Sequence, residues 1–302
     1  MKPSRMTLGT VQLGLDYGIN NKEGKPSLEK AFRILDHAFL NGINTFDTAA
    51  GYGESEKVIG QYFNYNKAAK DKISIVTKFK LGEVKKEEVR KKMFESVEAS
   101  LMNIGVNKIK TLLMHDAKEY QLYQKEIDEG FSQLIEERMI EKAGASAYSF
   151  EEMELMLGNE LYTSFQLPVN MLDQRITNNE RKKSKLIKKT IYVRSIYLQG
   201  IFFKDPNSLT GNLAEVAPFI RKVQRLAEEN AMSIAELAMR YVNSLDYVDS
   251  LVIGCDNEKQ VEENAILTEK EKFSSDKMTE IEQRLAGVPE WVFYPMYWDK
   301  QK

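Results

Sequence analysis

Residues 27–48, SLEKAFRILDHAFLNGINTFDT, contain a helical pattern followed at once by an apolar run typical of a β-strand. The apolar residues of the first part recur at the spacing of one helix face, and they are Ala31, Ile34, Leu35, Ala38 and Phe39. Ser27 is a residue type that caps the start of helices, and Gly42 is one that ends them. The stretch therefore predicts a helix, a turn and a strand over Ile43–Thr48.

The same alternation continues along the chain. Further apolar runs have the composition of strands, and they are Met6–Leu13, Ile73–Phe79, Ile109–Met114, Ala143–Ala147, Phe165–Val169, Ile191–Leu198 and Val248–Ile253. Amphipathic patterns lie between them, and capping-box openings occur at Ser149 with Glu152 and at Ser233 with Glu236. Eight strands that alternate with helices predict an α/β fold, a closed parallel (β/α)8 TIM barrel.

Composition favours one large globular domain. The chain has 302 residues, of which 42% are hydrophobic and 29% charged, and no linker divides it. We therefore predict a single domain over residues 1–302, whose C-terminal tail over 272–302 lies near the substrate pocket or packs on the barrel. The formal charge of −2 gives no overall attraction to a polyanion, so no nucleic acid partner is predicted. The Lys-rich stretches 85–92 and 181–189 are interpreted as solvated helix faces.

Cysteine and histidine are scarce. Cys255 is the single cysteine, and the two histidines are far apart in sequence, so neither an internal disulfide nor a Cys/His metal site is predicted. No segment has the ~18 consecutive apolar residues that a membrane span needs. These features predict a soluble protein of a reducing, cytoplasmic compartment, with no metal and no membrane partner.

Four residues whose side chains could take part in catalysis lie at or just after the ends of the strand runs. Asp47 ends the second run, Tyr52 lies in the loop after it, Lys78 closes the third and His115 follows the fourth. Taken singly, each has a structural explanation: a helix cap, a loop aromatic, a surface lysine and a core histidine. In a (β/α)8 barrel the C-terminal strand ends form the active site, so the predicted fold brings all of them together.

These four residues lie in short motifs that resemble those of a known protein family. Phe46-Asp47-Thr48-Ala49, Tyr52-Gly53-x-Ser55-Glu56, Thr77-Lys78 and Leu112-Leu113-Met114-His115 have the order and spacing of the aldo-keto reductase superfamily. The resemblance extends from residue 9 to about residue 267. It implies a (β/α)8 barrel, an NAD(P)H-dependent oxidoreductase activity and a small-molecule carbonyl substrate. It also carries the family's catalytic tetrad to Asp47, Tyr52, Lys78 and His115.

The resemblance assigns a role to each of the four. Tyr52 is the general acid, because a nearby lysine cation favours the ionised form of a phenol. Asp47 holds Lys78 through a charge-assisted hydrogen bond, and His115 orients or polarises the substrate carbonyl. The hydride chemistry belongs to the cofactor.

A cofactor cradle is implied in the same way, with NADP or NAD as the ligand. The candidate contacts are Thr10, Ser146, Gln166, Arg194, Gln199, Gly254, Gln260, Glu263 and Asn264. Ser146 and Gln166 match positions that hydrogen-bond the nicotinamide carboxamide, and Asn170 follows at the end of the sixth run. Ala147 stands where many members have Asn, which implies that one carboxamide contact is missing.

Two parts of this cradle depart from the family pattern. Arg194 occupies the place of an aromatic ring that usually stacks on the nicotinamide, and its charge would also act on any anionic substrate. The positions that bear cations in NADP-preferring members read Gly254 and Gln260, although the helix that follows offers amides to phosphate. Discrimination for NADPH over NADH is therefore predicted to be weak or reversed.

Two segments have no firm assignment. Aromatic residues crowd near the C-terminus, namely Trp291, Phe293, Tyr294, Tyr297 and Trp298. They either wall the substrate pocket or pack against the barrel or a second subunit. Between Ile201 and Leu213 a longer insertion is predicted to overhang the catalytic face as a loop.

Two other functions remain open at this point. One is a cofactor-binding barrel without turnover that acts as a redox-sensing or scaffold subunit, against which the full tetrad argues. The other is a lyase or aldolase that uses Lys78 as a Schiff-base amine. A lysine paired with Asp47 would stay protonated and be a poor nucleophile, which argues against the second.

Overall fold

A closed barrel of parallel strands forms the centre of the computed structural model, which describes residues 2–18, 21 and 24–299. The strands follow chain order around the barrel, and pairing of the first with the eighth closes it. The strands are β1 Met6–Gly9, β2 Thr45–Asp47, β3 Ser74–Phe79, β4 Ile109–Met114, β5 Ile140–Ser146, β6 Tyr162–Pro168, β7 Thr190–Arg194 and β8 Ser250–Gly254. The predicted (β/α)8 barrel is confirmed.

Helices cover the outside of the barrel. The α-helices are α1 Val11–Gly14, α2 Leu28–Leu40, α3 Ser55–Tyr65, α4 Lys67–Lys72, α5 Val89–Ile104, α6 Glu119–Glu136, α7 Phe150–Leu157, α8 Glu180–Leu186, α9 Ala217–Glu229, α10 Ile234–Asn243, α11 Glu258–Thr268 and α12 Ser275–Leu285. Short 3₁₀ helices are Lys86–Glu88, Leu198–Phe203, Pro206–Ser208, Gly211–Val216, Glu290–Phe293 and Pro295–Tyr297.

The predicted caps are present. The Ser27 hydroxyl accepts a hydrogen bond from the Lys30 amide at 3.3 Å, and Gly42 follows α2 with a φ of 77°. Ser149 and Ser233 cap α7 and α10 in the same way. Each cap satisfies a backbone donor that has no partner within its own helix, which fixes where the helix begins.

Two strands end well before the predicted apolar run does. The run Met6–Leu13 becomes β1 followed by α1, which packs so closely on the next loop that a Cβ at Gly14 would lie 1.8 Å from the Tyr52 carbonyl oxygen. The run Ile191–Leu198 ends as a strand at Arg194, because Ser195 adopts a φ of 60°. A left-handed backbone cannot continue a strand, so the chain turns there onto the rim of the barrel.

The interior of the barrel is apolar beneath the strand ends. Val76, Leu113 and Tyr192 are buried and form, with Val252, a cluster separate from the main core between barrel and helices. Two residues further along a strand the side chain returns to the same face. That step places Lys78 above Val76 and His115 above Leu113, at the C-terminal face of the barrel.

The two unassigned segments are both structured. The segment from Ile201 to Leu213 contains 3₁₀ helices instead of an open loop, and Phe202 and Leu213 are buried. In the tail, Val292 and Phe293 are buried, and Trp291 and Trp298 pack against the main core. These four side chains therefore belong to the core or pack against it, and residues 300–302 lie outside the described part.

A membrane span was sought among the helices of the described residues. None of them combines the length and apolar character that crossing a membrane requires.

Candidate active site

Asp47, Lys78 and Tyr52 form a continuous hydrogen-bonded group at the C-terminal ends of β2 and β3. The Lys78 ammonium donates to both Asp47 carboxylate oxygens at 2.8 Å and to the Thr48 carbonyl oxygen at 2.9 Å. It lies 3.4 Å from the Tyr52 hydroxyl oxygen and 4.8 Å from the centre of that ring. The Lys78 side chain is fully buried, so its charge acts with little screening by water.

Burial and pairing act in opposite directions on Lys78. Burial by itself lowers the pKa of the ammonium group, but the Asp47 carboxylate and Tyr52 outweigh it and raise the pKa above its ordinary value. Lys78 is therefore a cation near neutral pH. A protonated lysine cannot attack a carbonyl, which is evidence against the Schiff-base alternative.

His115 follows β4 and faces the same group. Its ring stands edge-on to Tyr52, with the two ring centres 5.5 Å apart. Burial lowers the pKa of His115 to about 4, and the positive charges of Lys78 and Arg194 act in the same direction. The imidazole is thus neutral at pH 7 and can donate one hydrogen bond to a carbonyl oxygen.

These side chains border a large cavity. It has a volume of about 810 Å³, toward the upper end of the ~300–1,000 Å³ typical of ligand sites. Asp47, Tyr52 and His115 lie on its wall. Every candidate cofactor contact also lies on the wall, namely Thr10, Ser146, Gln166, Arg194, Gln199, Gly254, Gln260, Glu263 and Asn264.

Some of these contacts already have protein partners. The Gln166 amide donates to Asp47 Oδ1 at 2.7 Å, and the Thr10 hydroxyl donates to the Asp47 carbonyl oxygen at 2.8 Å. Gln166 and Thr10 therefore brace the tetrad as well as line the cavity. Asn170 does not line the cavity; its carboxamide oxygen accepts from the Leu172 and Asp173 amides and so shapes the loop after β6.

The wall along β7, β8 and α11 suits a dinucleotide. Gly254 lets the Gln12 side chain lie directly against the end of β8, since a Cβ would lie 2.6 Å from that side chain. The Gln260 and Asn264 oxygens already accept from the Asp256 amide and the Tyr197 hydroxyl, and their NH2 groups, with the Gln199 amide, offer donors to ribose, phosphate and base. We find the residues present compatible with a nicotinamide dinucleotide, whereas the described residues contain no group of three or more His, Cys, Asp and Glu that could hold a metal ion.

Sequence reasoning missed several aromatic residues of the cavity wall, among them Tyr17 and Tyr148. Tyr17 follows α1 and Tyr148 lies two residues after β5, and both are on the wall. Their signal was their place in the loops beyond the first and fifth predicted strand runs, but loop aromatics at such places are common. Only the closed barrel shows that both lie on one cavity with Tyr52.

The residues of this site all lie within the part of the chain that matches a known family. A family model described as the aldo/keto reductase family matches residues 5–286. The chain belongs to the aldo/keto reductase family. Membership and fold support an oxidoreductase of carbonyl compounds, as the tetrad motifs predicted.

Individual relatives of this aldo/keto reductase are distant. L-glyceraldehyde 3-phosphate reductase of Escherichia coli is 23% identical over 94% of this chain and 90% of its own length. A Schizosaccharomyces pombe protein, provisionally named a voltage-gated potassium channel subunit beta, is 25% identical over 88% of this chain and 87% of its own. The holo form of an aldo-keto reductase from Bacillus halodurans superposes with a TM-score of 0.75 at 21% identity, covering 95% and 93% of the two chains. That likeness shows the shared fold.

Proposed function

We propose that this aldo/keto reductase reduces an aldehyde or a ketone to an alcohol, with NADH or NADPH as the reductant and Tyr52 as the general acid. One observation carries the proposal. A buried lysine cation lies 3.4 Å from a tyrosine hydroxyl that lines a large cavity. A cation at this distance stabilises the phenolate that remains when the hydroxyl gives its proton to a substrate.

Each residue of the tetrad has a defined part in the reaction. Tyr52 donates its proton to the carbonyl oxygen, which becomes the alcohol oxygen of the product. The Lys78 cation stabilises the phenolate that remains, and Asp47 holds that cation in place through two hydrogen bonds of 2.8 Å. Neutral His115 donates to the same carbonyl oxygen and so stabilises the negative charge that develops on it.

The cofactor contributes the reducing equivalent. A bound reduced nicotinamide supplies the hydride that the carbonyl carbon accepts. Ser146 and Gln166 are the residues that would hold its carboxamide, and Gln260, Glu263 and Asn264 would hold the adenosine end. The cytoplasmic location and the absence of nucleic acid partners stay predictions.

The experiment compares wild type with Tyr52→Phe. Wild type is expected to oxidise NADH or NADPH when an aromatic aldehyde such as benzaldehyde is added. Tyr52→Phe should lower kcat about 10²- to 10⁴-fold, the usual contribution of a general acid, while nucleotide binding is unchanged. Tyr65→Phe is the matched control, because Tyr65 is 72% exposed on α3.

The possible results separate the alternatives. Turnover that persists in Tyr52→Phe would contradict the assignment of the acid. A wild-type protein that binds the nucleotide tightly but reduces no aldehyde or ketone of a broad panel would favour the redox-sensing or scaffold subunit. A borohydride-trapped adduct on Lys78 would favour the Schiff-base mechanism instead.

A further inference from the structure

Arg194 places an uncompensated positive charge on the cavity wall. It is the last residue of β7 and is half-buried beside Tyr148, with its guanidinium carbon 4.4 Å from the centre of that ring. Its Nη2 donates to the Ala147 carbonyl oxygen at 3.3 Å. Within residues 2–18, 21 and 24–299, no carboxylate lies within ion-pair distance of this side chain.

A second arginine on the same face shows the contrast. Arg175 is packed against Phe293 and Tyr294, at 5.0 and 5.2 Å from the ring centres. It donates to both Asp173 oxygens at 2.8 Å and lies 3.2 Å from Glu290. The chain thus neutralises an arginine that only holds structure together, whereas Arg194 keeps most of its five donors for another partner.

The charges around Arg194 do not offset it. The Lys78 cation is matched by Asp47, and His115 is neutral at pH 7. Asp256 and Glu263 line the cavity beyond β8, and Glu263 is paired with Lys259 at 3.4 Å. Lys80 and Asp116, both near His115, carry opposite charges. Within the described residues none of these carboxylates forms an ion pair with Arg194.

We propose that Arg194 binds an anionic oxygen group of the substrate, a carboxylate or a phosphate, so that the preferred substrates are small carbonyl compounds bearing such a group. The inference rests on the proposed carbonyl reduction and names its substrate class. A guanidinium presents paired donors that match two oxygens of a carboxylate or phosphate. An uncharged substrate would leave this cation partly desolvated without a partner, which costs free energy.

Tyr148 orients the guanidinium before the substrate binds. Its amide donates to Glu152 at 2.7 Å, and its carbonyl oxygen accepts from Arg175 at 3.1 Å. Its ring also contacts Tyr294, with ring centres 5.9 Å apart. A side chain that packs on a fixed ring loses less conformational entropy when it binds an anion, which favours affinity.

The test uses matched pairs of aldehydes. Benzaldehyde and 4-carboxybenzaldehyde differ by a carboxylate, and glyceraldehyde and glyceraldehyde 3-phosphate differ by a phosphate. Wild type should favour the anionic member of at least one pair in kcat/KM, about ten- to a hundredfold, as expected for charged hydrogen bonds. The pair with the larger preference identifies which of the two anions is recognised.

Variants attribute the preference to Arg194. Arg194→Met should abolish it, so that kcat/KM falls at least about tenfold more for the anionic aldehyde than for its neutral partner, chiefly through KM. Arg194→Lys should retain part of it, because a lysine keeps the charge but loses the paired donors. Lys80→Met is the control for a non-specific effect of positive charge near the cavity, since Lys80 is exposed and its charge also acts on His115.

Two results would overturn the inference. One is the absence of any anion preference in wild type. The other is an equal loss for charged and neutral aldehydes together with weaker nucleotide binding, which would make Arg194 a cofactor contact. If no aldehyde is reduced at all, the proposed function fails. Equilibrium binding then tests separately whether Arg194 binds an anion. Wild type in the presence of NADH should bind 4-carboxybenzyl alcohol or inorganic phosphate more tightly than Arg194→Met does.

Discussion

The two sides of the central cavity are built in different ways. On the side of β2 to β4, Lys78 and Asp47 are almost fully buried, and Lys78 donates to Asp47 and to the Thr48 carbonyl oxygen within 2.9 Å. On the side of β7 and β8, Arg194 is half-buried without a carboxylate, and Lys259 is 82% exposed. On the first side, a substitution of one residue leaves a buried partner without its hydrogen bond or counter-charge. The second depends on single side chains, so substrate and nucleotide preference are decided there.

The largest effect on stability and activity is expected from breaking the Lys78–Asp47 ion pair on the side of β2 to β4. Lys78→Met removes the only cation bonded to Asp47 in the described structure and leaves that carboxylate buried without a counter-charge. The free energy of unfolding should fall by about 3–5 kcal/mol, and kcat should fall about 10²- to 10⁴-fold. Denaturant unfolding monitored by circular dichroism and steady-state aldehyde reduction measure the two effects.

A double variant sharpens this prediction. Asp47→Asn combined with Lys78→Met removes both charges, so most of the lost stability should return while activity does not. A double variant as unstable as Lys78→Met would show that side-chain packing, and not the unpaired charge, carries the effect.

The second prediction concerns the pH dependence of stability. The pKa of His115 is about 4 in the folded protein, below the ~6.5 of an unfolded chain. Between these values the unfolded state binds a proton that the folded state does not, so stability falls as pH falls. The contribution at pH 5 is a loss of about 2 kcal/mol relative to pH 7.

The variant His115→Gln separates this residue from other titrating groups. It cannot bind the proton, so unfolding experiments at pH 7 and pH 5 should show a smaller loss of stability than in wild type. An equal loss in both proteins would mean that His115 titrates normally in the folded state.

The nucleotide side gives the third prediction. The Gln260 side chain accepts from the Asp256 amide at 2.8 Å, and Lys259 is paired with Glu263, so no strong cation is available for a 2′-phosphate at this place. NADPH should be preferred over NADH by less than about a hundredfold, which corresponds to ~2.7 kcal/mol, if it is preferred at all. Gln260→Arg should strengthen NADPH binding about tenfold and leave NADH binding nearly unchanged.

Dissociation constants at low and moderate salt test this prediction. A stronger NADPH preference in wild type would mean that another cation reaches the phosphate. Arg33 is the first to check, because it forms an ion pair with Glu258 at the start of α11.

The same contrast explains what the sequence could predict. Asp47, Lys78 and His115 lie at or just after the ends of apolar strand runs. The alternation of strands and helices therefore predicts that they share the C-terminal face of a barrel, and the motif identifies their chemistry. The turn after β7 was not predictable in the same way. Ser195 adopts a φ of 60° within a run that has the pattern of a strand, and a positive φ is uncommon for a residue other than glycine. The bond from Gln166 to Asp47 likewise joins residues far apart in sequence.

The smallest effect is expected where an arginine already has several partners. The Tyr294 hydroxyl accepts from Arg175 Nη1 at 2.9 Å, but Arg175 also contacts Asp173, Glu290 and the Tyr148 carbonyl oxygen. Tyr294→Phe keeps the ring against Tyr148 and removes the hydrogen bonds of its hydroxyl with Arg175 and the exposed Glu290. The free energy of unfolding should fall by about 0.5–1.5 kcal/mol. Thermal and denaturant unfolding measure this change, and Arg175→Met provides the comparison because it leaves Asp173 buried without its cation. If Tyr294→Phe were as destabilising as Arg175→Met, the Arg175 cluster would depend on a single contact, and its contrast with Arg194 would be lost.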